Sequence, residues 1–241
     1  SRFQYRSIRN SELYVNKRTD IIFGIHPVLE AIKSGKDIQK VLLNREARAE
    51  EMREIRALAA QHGIAFQFVP LEKLNRLTGK NHQGVVAISS PVTFQTVEHL
   101  LPQIFEKGVV PLVILLDRIT DVMNFGAIIR SAECAGAHTV IVPDKNTAQI
   151  NSDAVKSSSG ALFNIPLCRS VNLASTIAYL KQSGLQIIAC TEKSERPIYE
   201  IDFSLPTAIV VGSEEDGITK GLLEMCDAAV RIPMQGKTAS L

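Results

Sequence analysis

The stretch 111–117, PLVILLD, is apolar at every position except its terminal aspartate. A half-exposed strand would alternate and a surface helix would show polar residues every third or fourth position. An unbroken apolar run this short therefore fits a strand buried on both faces, as in a parallel sheet covered by helices. Similar runs lie at 139–142, 185–190, 208–211 and 229–232, and helical patterns lie near 125–135, 172–183 and 220–226. Strands separated by helix-length segments require βαβ crossovers, which predicts an α/β fold with an open, mostly parallel sheet. Ligands of such sheets bind beyond the carboxyl ends of the strands, which directs attention to the loops after Leu116, Val211 and Ile232.

The front of the chain follows a different pattern. A helical stripe over 21–33 (Ile25, Val28, Leu29, Ile32) ends at Gly35. A strand at 39–43, a charged helix at 46–62, a strand at 64–69, a short helix at 71–77 and a strand at 85–89 follow. The expected organisation is a basic arm at 1–20, a small α/β domain at 21–91, a linker at 92–110 containing Pro102, and a larger domain at 111–241. Charge divides the same way. Residues 1–91 hold 15 Lys and Arg against 9 Asp and Glu, whereas the other 150 hold 12 against 16. A basic front part attracts phosphate-bearing polymers, so nucleic acid is its first candidate partner, although a merely solvated basic surface gives the same count.

With 45% hydrophobic and 22% charged residues the chain has the balance of a globular protein rather than a disordered or fibrous one. Its longest apolar runs fall far short of the roughly 20 residues that span a bilayer. The first 20 residues are polar and lack the apolar core of a signal peptide, so a cytoplasmic location without membrane contact is expected. Cys134, Cys168, Cys190 and Cys226 are widely spaced and read as reduced, buried thiols. His26, His62, His82, His99 and His138 show no ligand spacing, and no metal is expected.

Three loops carry the chemistry. Residues 117–130 read DRITDVMNFGAIIR. Here Asn124 suits a helix cap, Gly126 suits a close backbone approach, and helical geometry turns Arg130 away from the core. An ordinary solvated arginine would look the same. The second loop, GSEEDG at 212–217, sets Glu214, Glu215 and Asp216 at a helix N-terminus, where the dipole favours negative charge. Three adjacent acids repel one another, which favours a cation nearby. The third, IPMQGKTASL at 232–241, lacks the spacing of a P-loop, and no G-x-G-x-x-G occurs in the chain, so nucleotide triphosphatase and dinucleotide-binding readings find no support.

Asn124, Gly126 and Arg130 form N-x-G-x-x-x-R; Gly212, Glu214 and Gly217 form G-x-E-x-x-G; Ile232, Pro233 and Met234 form I-P-M, followed by Ser240 and Leu241. In this order and spacing they resemble the SpoU/TrmH class of RNA 2′-O-ribose methyltransferases. The front part, through Gly24-Ile-His-Pro-Val28 and His82-Gln-Gly-Val-Val-Ala87, is similar to the small RNA-binding domain, itself like a ribosomal protein, of the bacterial 23S rRNA guanosine-2′-O-methyltransferase branch. The resemblance implies S-adenosylmethionine as cofactor, a trefoil knot of the SPOUT kind, a homodimer and ribosomal RNA as partner. It places the cofactor against Gly212, Ile232 and Leu241, with Thr191, Ser213, Met234 and Ser240 beside them. It makes Arg130, Asn124 and Glu214 catalytic, and Arg2, Arg6, Arg9, Lys17, Arg18 and His82 candidate RNA contacts.

The chain departs from that pattern in two places. Asp121-Val122 stands where relatives have Asp-Pro, and relatives continue past Ser-Leu into a last helix, so a truncated C-terminal end is expected. A guanidinium with a pKa above about 12 accepts protons poorly. Arg130 is therefore expected to clamp phosphate and a developing alkoxide, oriented by Asn124 and Glu214, rather than act as base. The alternatives are a non-catalytic RNA-binding or ribosome-assembly protein on the same scaffold, or a tRNA 2′-O-methyltransferase. A hydrolase lacks an identifiable nucleophile, base and orienter.

Overall fold

The structure is a computed structural model describing residues 21–45 and 49–235, and it contains two sheets. The first is built from β1 (Ile21–Phe23), β2 (Ile38–Asn44), β3 (Ala65–Val69) and β4 (Val85–Ser89), in the order β1-β4-β2-β3. β4 runs antiparallel to both β1 and β2, and β2 runs parallel to β3. Helices α1 (Ile25–Lys33) and α2 (Ala49–Gln61) cover one face through Val28, Ile32 and Ile55 packed on Val41, Val85 and Ala87. The short α3 (Leu71–Leu77) covers part of the other, with Leu74 on Leu42, Val69 and Val86.

The helix expected over 21–33 breaks at Gly24. Ile21, Ile22 and Phe23 pair with Ile88, Ala87 and Val86, and Gly24, at φ 91°, turns the chain into α1. A periodicity reading sees the helical stripe but not a strand partner more than 60 residues away. Gln83 Oε1 accepts the Ile25 N–H at 3.1 Å, and the Gly24 N–H donates to the Val85 carbonyl, so the segments beginning at Gly24 and His82 form one joint. His82 is buried within that joint. Its Nδ1 accepts the Gly84 N–H at 3.1 Å, which leaves the proton on Nε2, donated to Asn75 Oδ1 at 2.9 Å. With both nitrogens committed, His82 holds the loop together instead of offering itself to RNA, a correction to its reading from sequence.

The second sheet has seven strands in the order β11-β9-β10-β6-β7-β8-β5, with every pairing parallel. They are β5 (Phe94–Gln95), β6 (Leu112–Asp117), β7 (Thr139–Pro143), β8 (Leu167–Ser170), β9 (Gln186–Cys190), β10 (Thr207–Gly212) and β11 (Ala228–Val230). Helices α4 (Val97–Glu106), α7 (Leu173–Gln182) and α8 (Lys220–Met225) pack on one face, where Val113 and Leu115 point. Helices α5 (Val122–Cys134) and α6 (Ser152–Ser157) pack on the other, with Ile114 and Leu116. The apolar run at 111–117 is thus explained: Val113 to Leu116 alternate between two cores.

The segment 92–110, expected as a linker, belongs to this sheet. It carries the edge strand β5 and α4, whose Val97, Leu100, Leu101 and Ile104 are buried while Pro102 stays exposed. β8 and α6 gave no strong sequence pattern. Cys168 is buried, Cys190 and Cys226 are half-buried, and Cys134 is exposed at the end of α5, contrary to the expectation of four buried thiols. No helix among the described residues is long and apolar enough to cross a membrane.

Candidate functional site

After β6 the chain moves outward through β7 and β8 on one side, whereas β9, β10 and β11 lie on the other. The carboxyl ends of β6 and β10 border this reversal, where an open α/β sheet leaves a crevice. Register fixes which residues meet there. Val230, Cys190, Val211 and Leu116 form one row across β11, β9, β10 and β6, and one residue further Gly212 pairs with Asp117 while the Thr191 N–H donates to the Val230 carbonyl at 2.8 Å. With strands about 4.8 Å apart, four loops separated in sequence open within roughly 15 Å of one another.

Between the loops after β6 and β10 lies a cleft of about 330 Å³, walled by Arg118, Thr120, Asn124, Asn146, Ser213 and Glu214 among others. Asn124, Ser213 and Glu214, assigned from separate motifs, therefore share one wall. Asn124 does not cap α5. Asp121 does, its Oδ1 accepting the N–H groups of Met123 and Asn124 at 2.9 and 2.8 Å, which leaves the Asn124 side chain free for the cleft. Gly126 serves packing: a Cβ there would overlap the Ser157 side chain on α6, so the close approach is between two helices. A Cβ on Gly212 would overlap the backbone of Gly217 and Ile218, because the chain folds straight back after β10 and the Gly217 N–H donates to the Ser213 carbonyl at 2.9 Å.

Arg118 is the cation that the acidic turn required, and sequence reasoning missed it. Its Nη1 donates to Asp216 Oδ2 at 2.9 Å and its Nη2 to the Gly217 carbonyl at 3.1 Å. Its backbone takes a left-handed φ of 60°, rare for arginine, and its buried Nε makes no hydrogen bond among the described residues but lies 3.5 Å from Asp117 Oδ1, an ion pair. The neighbouring Asp117, itself buried, accepts the Thr219 N–H at 2.6 Å. Asp117 and Arg118 thus tie down the far side of the turn that carries Glu214, at Asp216, Gly217 and Thr219, while Glu214 and Glu215 remain exposed. The visible signal was an Asp-Arg pair at the end of a buried strand.

Ion pairing to the exposed Asp216 contributes little, up to about 1 kcal/mol, so most of the stabilisation from Arg118 comes from its bond to the Gly217 carbonyl and from the buried Asp117 carboxylate 3.5 Å from its Nε. Arg118→Ala is expected to cost about 1–2 kcal/mol in urea denaturation. Asp216→Asn should cost under about 0.5 kcal/mol, and equal losses would contradict this division.

Arg130 is exposed on α5, about 9 Å of helix rise from Asn124, and has no hydrogen bond or ion pair among the described residues. It does not line the cleft. Thr191 directly follows β9 and Gly212 ends the adjacent β10, and Ile232 and Met234 follow β11 with apolar surface exposed. Burial, then the Glu192 carboxylate, push the Cys190 thiol pKa up, opposed by the Ile232 N–H. Ser240, Leu241, Arg2, Arg6, Arg9, Lys17 and Arg18 lie outside the described residues. No cluster of metal-ligating side chains occurs among the described residues.

Known proteins share this arrangement. Residues 111–241 match the model of the SpoU rRNA methylase family, and residues 21–95 match that of the RNA 2′-O ribose methyltransferase substrate-binding domain. A Bacillus subtilis (strain 168) protein named for the TrmH family of tRNA/rRNA methyltransferases is 30% identical over 227 residues, covering 94% of this chain and 91% of its own. A Staphylococcus saprophyticus protein of the same name is 34% identical over 221 residues, covering 92% and 89%. Among solved structures, an AdoMet-bound rRNA methyltransferase from Sinorhizobium meliloti aligns with a TM-score of 0.55 and 26% identity over 92% of this chain and 80% of its own. The SpoU methyltransferase AviRb from Streptomyces viridochromogenes, at 24% identity and a TM-score of 0.54 over 92% and 82%, shows the shared fold. The four-stranded sheet thus lies in the part of the chain that matches a substrate-binding domain, and β6 to β11 in the part that matches a methylase. The chain belongs to the SpoU/TrmH family of RNA methyltransferases.

Proposed function

We propose that this chain transfers a methyl group from S-adenosylmethionine to a ribose 2′-hydroxyl of structured RNA, foremost 23S rRNA, in the cytoplasm. The observation that carries this reading is the common edge where Gly212 and Asp117 end neighbouring strands, Thr191 follows the next, and Asn124 and Glu214 face one cleft. The residues fit the cofactor. Gly212 keeps the strand end clear of a side chain, the Thr191 and Ser213 hydroxyls and the backbone of Gly212 and Ile232 offer hydrogen bonds, and Ile232 and Met234 offer apolar surface to a flat base. Ser240 and Leu241 join them as cofactor contacts, in a domain that carries a trefoil knot. When bound, the cofactor supplies a methyl carbon on a sulfonium, a good leaving group.

The protein's task is to align the hydroxyl and ease loss of its proton. Arg130, always charged, clamps the RNA phosphate and stabilises the alkoxide as it develops, with Asn124 and Glu214 orienting from the cleft wall. Residues 21–91 hold the RNA, joined by the basic side chains of 1–20. The active form is a homodimer, which the exposed Met123, Ile232 and Met234 at the cleft end of the sheet support.

Incubation with isotopically labelled S-adenosylmethionine and unmodified 23S rRNA or tRNA transcripts, followed by alkaline hydrolysis, tests this. Label is expected in alkali-resistant dinucleotides from 23S rRNA, since a 2′-O-methyl group blocks cleavage at its own nucleotide. Label on bases would refute ribose methylation, and label only in tRNA would reassign the substrate. Firm RNA binding without any label would favour the non-catalytic scaffold.

A further inference from the structure

We infer that RNA docks on the α3 side of the four-stranded sheet, with its phosphates held by Lys40, Lys73 and Lys80. The inference rests on the RNA-methyltransferase reading and adds the surface the substrate occupies. The two faces of this sheet differ in charge and cover. On the α1/α2 side two of the cations already have partners: Lys33 Nζ lies 3.1 Å from Glu54 Oε1, and the Arg56 guanidinium sits over the Phe66 and Phe68 rings at 5.3 and 5.6 Å.

On the opposite side α3 is too short to cover the sheet. Its Leu74 seals Leu42, Val69 and Val86, but the next row across the strands, Ile21, Ile88, Lys40 and Ala65, is only half-buried. Lys40 stands in the middle of that row with its pKa lowered, first by burial and then by the facing Lys73. Lys80 Nζ lies 5.5 Å from the centroid of the Phe23 ring, beside the same row. None of the three ammonium groups has a carboxylate within ion-pair distance among the described residues.

Two amines facing each other over an apolar floor without an acid are destabilising on their own, and a polyanion spanning them relieves the repulsion. An RNA strand supplies that anion in repeated form and gains from counterion release. The floor of Ile21, Ile88 and Phe23 can receive an unstacked base.

The salt dependence of RNA binding by the full chain tests the assignment, because each lost phosphate contact reduces the slope of log K against log salt by about 0.7–0.9. For K40Q/K73Q/K80Q, with an unmodified 23S rRNA transcript as probe, we expect a slope smaller by about 2–3. We also expect KM for RNA to rise at least tenfold and affinity for S-adenosylmethionine to stay at the wild-type value. K73Q/K80Q leaves the half-buried Lys40 in place and should lose a slope of about 1.4–1.8, so a folding defect in the triple variant does not decide the outcome. K33Q/K36Q/R53Q removes the same charge from the α1/α2 side and should leave the slope within about half a unit of wild type. A double variant with the wild-type slope, or a control that loses as much as the triple variant, overturns the docking surface. Wild-type protein that binds neither S-adenosylmethionine nor RNA would instead overturn the reading on which it rests.

Discussion

Arg130→Ala is expected to lower kcat for RNA methylation by about two to three orders of magnitude, the usual effect of removing one group that stabilises developing oxyanion charge. Binding of S-adenosylmethionine should be unchanged in calorimetric titration, because Arg130 is exposed, lies outside the cleft wall and has no hydrogen-bond or ion-pair partner among the described residues. For the same reason thermal stability should barely move. Arg130→Lys separates two roles: a fork holding phosphate and alkoxide together cannot be replaced by a point charge, so the lysine variant should stay within about tenfold of the alanine variant. Near-normal turnover with lysine would exclude the bidentate clamp.

Gly212→Ala is expected to damage both stability and cofactor binding. The added Cβ would meet the Gly217 carbonyl group and the Ile218 nitrogen, which are backbone atoms and cannot rotate away. Overpacking of this kind costs about 1–3 kcal/mol, and relief must come from moving the 213–217 turn that carries Ser213 and Glu214. The expected result is a lower urea midpoint together with at least tenfold weaker binding of S-adenosylmethionine. A variant that keeps both would show that the turn can shift freely and that Gly212 is no part of the pocket. Gly126→Ala differs because the first group in its way is the Ser157 side chain, which donates its hydroxyl proton to the Val122 carbonyl. That collision loosens α5 against α6 and leaves the strand ends in place.

Legibility varied with the physical source of the signal. β6 was plain because a strand buried on both faces must be apolar throughout, and α7 and α8 were plain because a helix on a sheet repeats its apolar stripe. β5 spans two residues and β8 reads LCRS, too short and too mixed for any period, and both are strands only because a neighbour with open backbone groups lies alongside. β1 reads as the start of a helix for the same reason. Of the candidate site, Asn124, Ser213 and Glu214 share one wall of the cleft, whereas Arg130 lies outside it. Asp121 was passed over as cap and Arg118 as strap, because each acts through one atom-to-atom geometry that composition cannot express. His82, polar and within a motif, looked available for RNA until both its nitrogens proved committed within the protein.

By itself the sequence determined the strand and helix alternation, the basic front part, and the residue types at three strand ends. These are local properties, written in periodicity and in the special backbone freedom of glycine. Tertiary structure alone decided that β10 lies between β9 and β6, and hence that loops roughly 100 residues apart open onto one crevice. The physical reason is that strand order follows from how two cores are filled on opposite faces of one sheet, a global packing condition no single segment contains.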